Sequence, residues 1–215
     1  MRQTLSDIER SRLDQRIEET EKRTHTQIVL SLIQRSDNYE ELPWKAFALG
    51  ASISGLALIP LARWLYGWYP QFTCLITAAG ILACGALLAL LTIVCPPFAR
   101  CLLPGHRAET EVRQYAKSLF LDRELFATKK RTGILVLVSL FERRVNIIPD
   151  TGLDLRLKEG HVHNIITEMT PLLKRKQVSR AFEAGLDCLS RMLTTAEPYG
   201  GDNELSNEII EEDGV

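Results

Sequence analysis

Two unlike patterns of hydrophobic residues alternate along this chain. From Phe72 to Val94 there is no Asp, Glu, Lys or Arg, and a second apolar run, Ala46 to Leu65, lies just before it. As a helix the charge-free run reaches roughly 34 Å, enough for a hydrocarbon core about 30 Å thick. Only Tyr66-Gly67-Trp68-Tyr69-Pro70-Gln71 separates the two runs. Residues 46–98 therefore read as a two-helix transmembrane hairpin.

On either side of it the apolar positions recur at the periods of soluble helices and strands. Ser6-Asp7-Ile8-Glu9 is a capping box, and the helix it opens is predicted to run to about Arg23 with Leu5, Ile8, Leu13 and Ile17 inward. Gln27 to Ile33 reads as a strand, and Ser36-Asp37-Asn38-Tyr39 as a turn. Beyond the hairpin, Leu103-Pro104-Gly105-His106 breaks helix. An amphipathic helix follows from about Ala108 to Lys129, with Val112, Ala116, Leu119 and Phe126 inward and Lys129, Lys130 and Arg131 at its negative end. Ile134 to Val138 is uninterruptedly apolar, the pattern of a central strand covered on both faces. Phe141-Glu142-Arg143-Arg144 turns the chain, Val145 to Ile148 returns antiparallel, and helices at about 158–174 and 177–194 complete the series.

Residues 1–45 are too few for a core of their own, so they are expected to join residues 99–195 in one split cytosolic α/β domain, a small three-layer sandwich interrupted by the hairpin. Its first two strands should be parallel, linked by a right-handed crossover, with their C-terminal ends toward the bilayer. From Glu197 onward there are acidic residues and no Lys or Arg. Residues 196–215 thus read as an acidic mobile tail, free or docked on the basic cluster Lys174, Arg175, Lys176 and Arg180. That cluster reads as a solvated helix connection or as a contact for anionic lipid.

Composition adds little until it is divided. The 215 residues are 46% apolar and 25% charged with a net charge of −1, which averages over the two populations and does not support nucleic-acid binding. The five cysteines form no CxxC pair, so a reducing compartment is expected, and the N-terminus lacks the apolar segment of a cleavable signal peptide. Arg35, Lys45, Arg100 and Arg107 flank the base of the hairpin, whereas the tip has only Arg63. Positive-inside bias then puts both termini in the cytoplasm, with two spans in the cell inner membrane and the lipid bilayer as partner. Trp44, Arg63, Trp64 and Trp68 are placed as interfacial anchors. Small residues recur four apart: Gly50 with Ser54, Ala51 with Gly55, Gly80 with Cys84, and Gly85 with Ala89. Such spacing lets helices approach closely, either inside the hairpin or across a dimer seam.

Several segments resemble the TPM domain. They are Thr24-His25-Thr26-Gln27-Ile28-Val29, Ser36-Asp37-Asn38-Tyr39, the block from Arg131 to Val145, Asp150-Thr151-Gly152-Leu153 and Asp202-Asn203-Glu204-Leu205. The chain is similar to the bacterial branch in which a membrane hairpin interrupts that domain. The resemblance implies the same α/β sandwich. It also implies one of three roles: an acid phosphatase, an accessory protein of membrane receptors, or a module binding divalent cations, Ca²⁺ or Mg²⁺, in an acidic cleft. In cation-binding members the acidic residues lie near the start of the domain and around a Gly-rich segment after the third strand. This chain begins at about the first helix, and Asp150-Thr151-Gly152-Leu153-Asp154 keeps that segment only in part.

Candidate chemistry follows from these readings. Asp150 and Asp154 flank Gly152 and suit a shared cation, or else simply a turn. Asp37 and Glu142 form another carboxylate pair, expected at the opposite edge of the sheet from Asp150. His161 and His163 would point to different faces of a helix, and Ser31 and Ser139 lie in strands without an evident base. No phosphate loop or nucleophile motif is present. The expectation is a membrane-anchored accessory or scaffold for membrane-protein complexes. A metal-assisted phosphatase and a cation-responsive binding module are the alternatives.

Overall fold

A computed structural model describes residues 5–66, 70–153, 157, 159–193 and 209–214. Trp68 and Asp154 lie outside the described residues. The helices are α1 (Asp7–Thr24), α2 (Glu41–Tyr66), α3 (Pro70–Val94), α4 (Pro96–Leu102), α5 (Gly105–Asp122), α6 (Glu159–Lys174) and α7 (Val178–Leu193). The strands are β1 (Gln27–Arg35), β2 (Gly133–Ser139), β3 (Arg144–Pro149) and β4 (Ile210–Gly214), in the sheet order β3-β2-β1-β4. Two compact units result: residues 1–37 with 108–215, and residues 38–107.

In the first unit the capping box forms as read: Ser6 Oγ accepts from Glu9 N, and the Glu9 side chain accepts from Ser6 N. Those hydrogen bonds hold the Glu9 carboxyl below its usual range. The helix ends at His25, which adopts left-handed backbone with φ 54°. The tight turn into β1 is fixed by Glu21, buried near the end of α1, which accepts a 2.7 Å hydrogen bond from Ile28 N. Ile8 departs from the expected stripe and is 82% exposed. At 100° per residue it lies about 140° around the helix from Leu13, whereas Leu13 and Ile17 share the buried face.

β1 and β2 pair in parallel from Gln27↔Gly133 to Ile33↔Ser139, and β2 pairs antiparallel with β3. Alternation along β1 feeds two cores. Ile28, Leu30 and Leu32 pack with Leu13 and Ile17 of α1 and with Ile165, Phe182 and Leu186 of α6 and α7. Val29 and Ile33 pack with Val112, Ala116, Leu119 and Phe120 of α5. This is the helix–sheet–helix sandwich expected from the sequence.

Two boundaries differ from the sequence reading. α5 stops at Asp122 rather than near Lys129, because Glu124 is left-handed (φ 50°) and a 3₁₀ turn buries Leu125 in the α5-side core. Gly133 accommodates that turn: a Cβ there would lie 2.3 Å from Leu125 O. The second difference is in the acidic tail, where residues 210–214 form β4, parallel to β1 with Ser31↔Ile210. Apolar Ile209 and Ile210 are buried, one in each core. Glu211 and Glu212 of β4 are held from opposite faces. Arg10 donates to Glu211 at 2.8 Å, while Tyr115 and Arg123 donate to Glu212 at 2.8 and 2.9 Å. Burial and the neighbouring Glu212 push the Tyr115 phenol upward.

In the second unit α2 and α3 pack side by side. At their closest point a Cβ on Gly50 would lie 3.1 Å from Gly85 Cα and Cys84 O, and one on Gly85 would strike the Phe47 ring at 2.9 Å. Gly80 faces Leu58, Gly55 faces Ile81, and buried Ser54 donates to Gly50 O at 2.7 Å. These small residues thus serve the contact within the pair. α2 and α3 are each long and apolar enough to cross a membrane, over Glu41–Trp64 and Thr73–Val94.

Replacing Ile210 by Asp should test β4. The substitution puts an unpaired carboxyl into the α5-side core and should lower unfolding free energy by about 3 kcal/mol, measured by denaturant titration of the full chain in detergent. An unchanged midpoint would show that β4 does not contribute to the sheet.

Candidate functional site

Opposite ends of the sheet hold Asp150 and Glu142 and keep them apart. Asp150 follows β3 at the edge where β1 and β2 begin, its backbone N donating to Gly133 O at 2.8 Å. It is 3% exposed. Oδ1 accepts from Thr151 N at 2.8 Å, and Oδ2 forms an ion pair with Arg131 Nε at 3.1 Å that is not aligned as a hydrogen bond. The Arg131 guanidinium also covers the Phe126 ring, 5.6 Å from its centroid. Gly152 belongs to the same knot: its N donates to Arg131 O, and a Cβ there would lie 2.1 Å from Lys130 O.

Glu142 occupies the opposite edge, in the turn after β2. Its Oε1 accepts from Ser36 N at 2.9 Å and from Ser36 Oγ at 2.7 Å, and its Oε2 accepts from Ser139 Oγ. The group is buried. It ties the end of β1 to the end of β2 across a sequence separation of 106 residues. Ser139 therefore has a carboxyl partner that the strand pattern did not reveal. The signal was present as Ser139 and Glu142 three residues apart across a turn. The Ser31 hydroxyl has no hydrogen-bond partner inside the sheet.

One oxygen of the Asp150 carboxyl is engaged by Thr151, the other faces a guanidinium, and no group of three His, Cys, Asp or Glu is suited to a metal among the described residues. His161 and His163 both lie in the first turns of α6. Trp44 and Trp64 are 74% and 80% exposed on α2, and Arg63 is exposed beside Trp64.

A cleft of about 630 Å³ opens between α1, α6 and α7, lined by Arg23, Glu168, Ala184, Asp187, Ser190 and Arg191. Its charges largely engage one another: Arg191 donates to both Glu168 oxygens, and Arg16 binds Asp187. Cys188 of α7 is buried, and burial pushes its thiol up.

Comparison with known proteins adds a family match over part of the chain and a likeness of fold. Residues 103–192 match the TPM domain family model, a span from the start of α5 to the end of α7. Among solved structures the chain is similar to the NMR structure of the BA42 protein from the psychrophilic bacterium Bizionia argentinensis. The TM-score is 0.59 at 14% identity, over 98% of this chain and 97% of that one, a likeness of fold. No curated protein matches the chain. The TPM resemblance read in the sequence holds over residues 103–192, and the fold it implied is present.

Glu142→Leu should cost about 3 kcal/mol of unfolding free energy, because it removes the buried acceptor of Ser36 N, Ser36 Oγ and Ser139 Oγ. Glu142→Gln retains an acceptor and should cost clearly less. Equal, small effects in denaturant titration would remove Glu142 as the tie between the strands.

Proposed function

We propose that this protein is an accessory or scaffold component of membrane-protein complexes, anchored by α2 and α3 and presenting a TPM-type α/β unit on the cytoplasmic side of the inner membrane. One observation carries the reading. The helix pair leaves its apolar surface open: only 17% and 6% of the two spanning windows are buried. Core helices of a soluble protein would be mostly covered. Ile53, Leu56, Ile59, Leu75, Leu87 and Ile93 are each more than half exposed. Covering one such side chain is worth about 1.5–3 kcal/mol, so a bilayer is the natural solvent for this surface. The engagement of the Asp150 and Glu142 carboxyl groups by backbone, hydroxyl and guanidinium partners supports a binding role over a carboxylate-pair enzyme.

Extraction of membranes at alkaline pH should leave the full chain in the pellet, and mild-detergent pull-down should recover it with another membrane protein. Release into the supernatant would remove the anchor, and repeated recovery of a lone monomer would remove the scaffold role. Labelling of exposed Cys101 by an impermeant thiol reagent on intact cells would reverse the orientation. Cation-dependent phosphatase activity of the purified chain, lost in both Asp150→Asn and Asp154→Asn, would replace the scaffold reading with the enzyme.

A further inference from the structure

The direction of each helix fixes what shares the edge at which β1 and β2 end. α1 runs back to the start of β1 through the His25 turn, so its own start lies at the end of β1. The Arg10–Glu211 pair, with Glu211 opposite Leu32, agrees. α7 runs alongside α1 in the same direction: Arg12 pairs with Glu183, Arg16 with Asp187, and Arg23 shares a cleft with Arg191. The start of α7, and the short connection from α6, therefore lie at the end of β1. The β2–β3 turn is at this edge by construction, and the chain leaves the unit here at Asp37.

Six cations lie toward the β3 side of that edge, because the β2–β3 turn is there and α6 packs against β3 with α7 between it and α1. Arg143 and Arg144 are in the turn, Lys174, Arg175 and Lys176 in the α6–α7 connection, and Arg180 in the first turn of α7; all six are exposed. None is paired with a carboxyl group among the described residues. Glu142 is buried and engaged by Ser36 and Ser139, and Asp37 has interactions of its own. Asp7, Glu9 and Asp213 belong to α1 and β4, on the other side of the edge, while Glu109 and Glu111 are in the α5 layer. The negative end of α6 accounts locally for Lys174 to Lys176. It does not account for Arg180, which stands in the first turn of a helix where no acidic residue is present and a cation opposes the macrodipole. Nor does it account for the adjacent Arg143 and Arg144. A local preference overridden at a surface points to an external anion.

We propose that this edge binds anionic lipid headgroups of the bilayer that holds α2 and α3. The inference rests on the anchored reading above, because the chain enters the hairpin from this same edge. Basic residues next to an anionic leaflet each gain about 1 kcal/mol. The contact would hold the unit down on anionic membrane and leave it freer on neutral membrane.

The test uses the full chain in nanodiscs of phosphatidylcholine, with or without phosphatidylglycerol. Lysine acetylation by a water-soluble reagent is read by mass spectrometry. Reactivity of Lys174 and Lys176, relative to Lys22 and Lys117, should fall about fivefold in the anionic discs and recover at high salt. Replacing Arg143, Arg144 and Arg180 together by Gln should weaken that protection while the chain stays in the discs. An unchanged ratio between the two lipids would overturn the proposal, and is also what cover by the chain's own acidic segment would produce. Equal protection by inorganic phosphate in neutral discs would overturn it in favour of a free anion. Failure of the chain to co-elute with discs of either lipid would bring down the anchor and this inference together. Co-elution with unchanged reactivity would bring down the inference alone.

Discussion

β1 comes from the first 37 residues yet stands second from one side of a sheet whose other three strands all follow the hairpin. Its backbone is hydrogen-bonded on both sides, in parallel to β2 and to β4. Both of its faces are buried, one under α1, α6 and α7 and the other under α5. Without β1 neither core closes and β4 has no strand to pair with. The entropy of closing a loop grows only with the logarithm of its length, each doubling costing about 0.6 kcal/mol. An insertion the size of α2 to α4 is therefore a small burden beside seven registered strand pairs. The ends of the inserted unit also lie near each other, with Arg107 and Glu41 forming an ion pair at 3.8 Å.

Much of this was legible because the relevant signals are local and periodic. The Ser6–Glu9 box, the buried run Ile134–Val138 and the boundaries of α6 and α7 each depend on a few neighbouring residues. The parallel pairing of β1 and β2 followed from the right-handed crossover alone. β4 was not legible because its apolar content is Ile209 and Ile210, followed by Glu211, Glu212 and Asp213. A strand of that composition is made by partners remote in sequence: Ser31 opposite Ile210, Arg10 on Glu211, and Tyr115 with Arg123 on Glu212. The early stop of α5 has the same character. Nothing between Asp122 and Leu125 breaks a helix by propensity; burial of Leu125 against Gly133 decides it.

The candidate site divides along the same line. That Asp150 and Glu142 would stand at opposite edges was readable from strand direction. That each would be engaged inside the fold was not, since their partners are Arg131 and Ser36. For Glu142 the partner is 106 residues away, beyond the whole hairpin. A carboxyl group in a turn therefore looks available in sequence and is committed in the folded chain.

This difference in commitment bears directly on what the domain can offer a partner. Glu21, Asp150 and Glu142 are buried and used to stitch helix to strand, loop to loop and strand to strand. Glu211 and Glu212 fasten the last strand. Acids spent on internal ties cannot neutralise the cations at the surface, and among the described residues the exposed ionic side chains of the β2–β3 turn and the α6–α7 connection are Arg and Lys. The net charge of −1 hides this, because it sums the acids committed inside the fold with these exposed cations. Electrostatic character at a surface follows from which charges the fold has already paired. By that measure the α/β unit has an electropositive edge at the end of β1, made by the cations that its own acids do not reach.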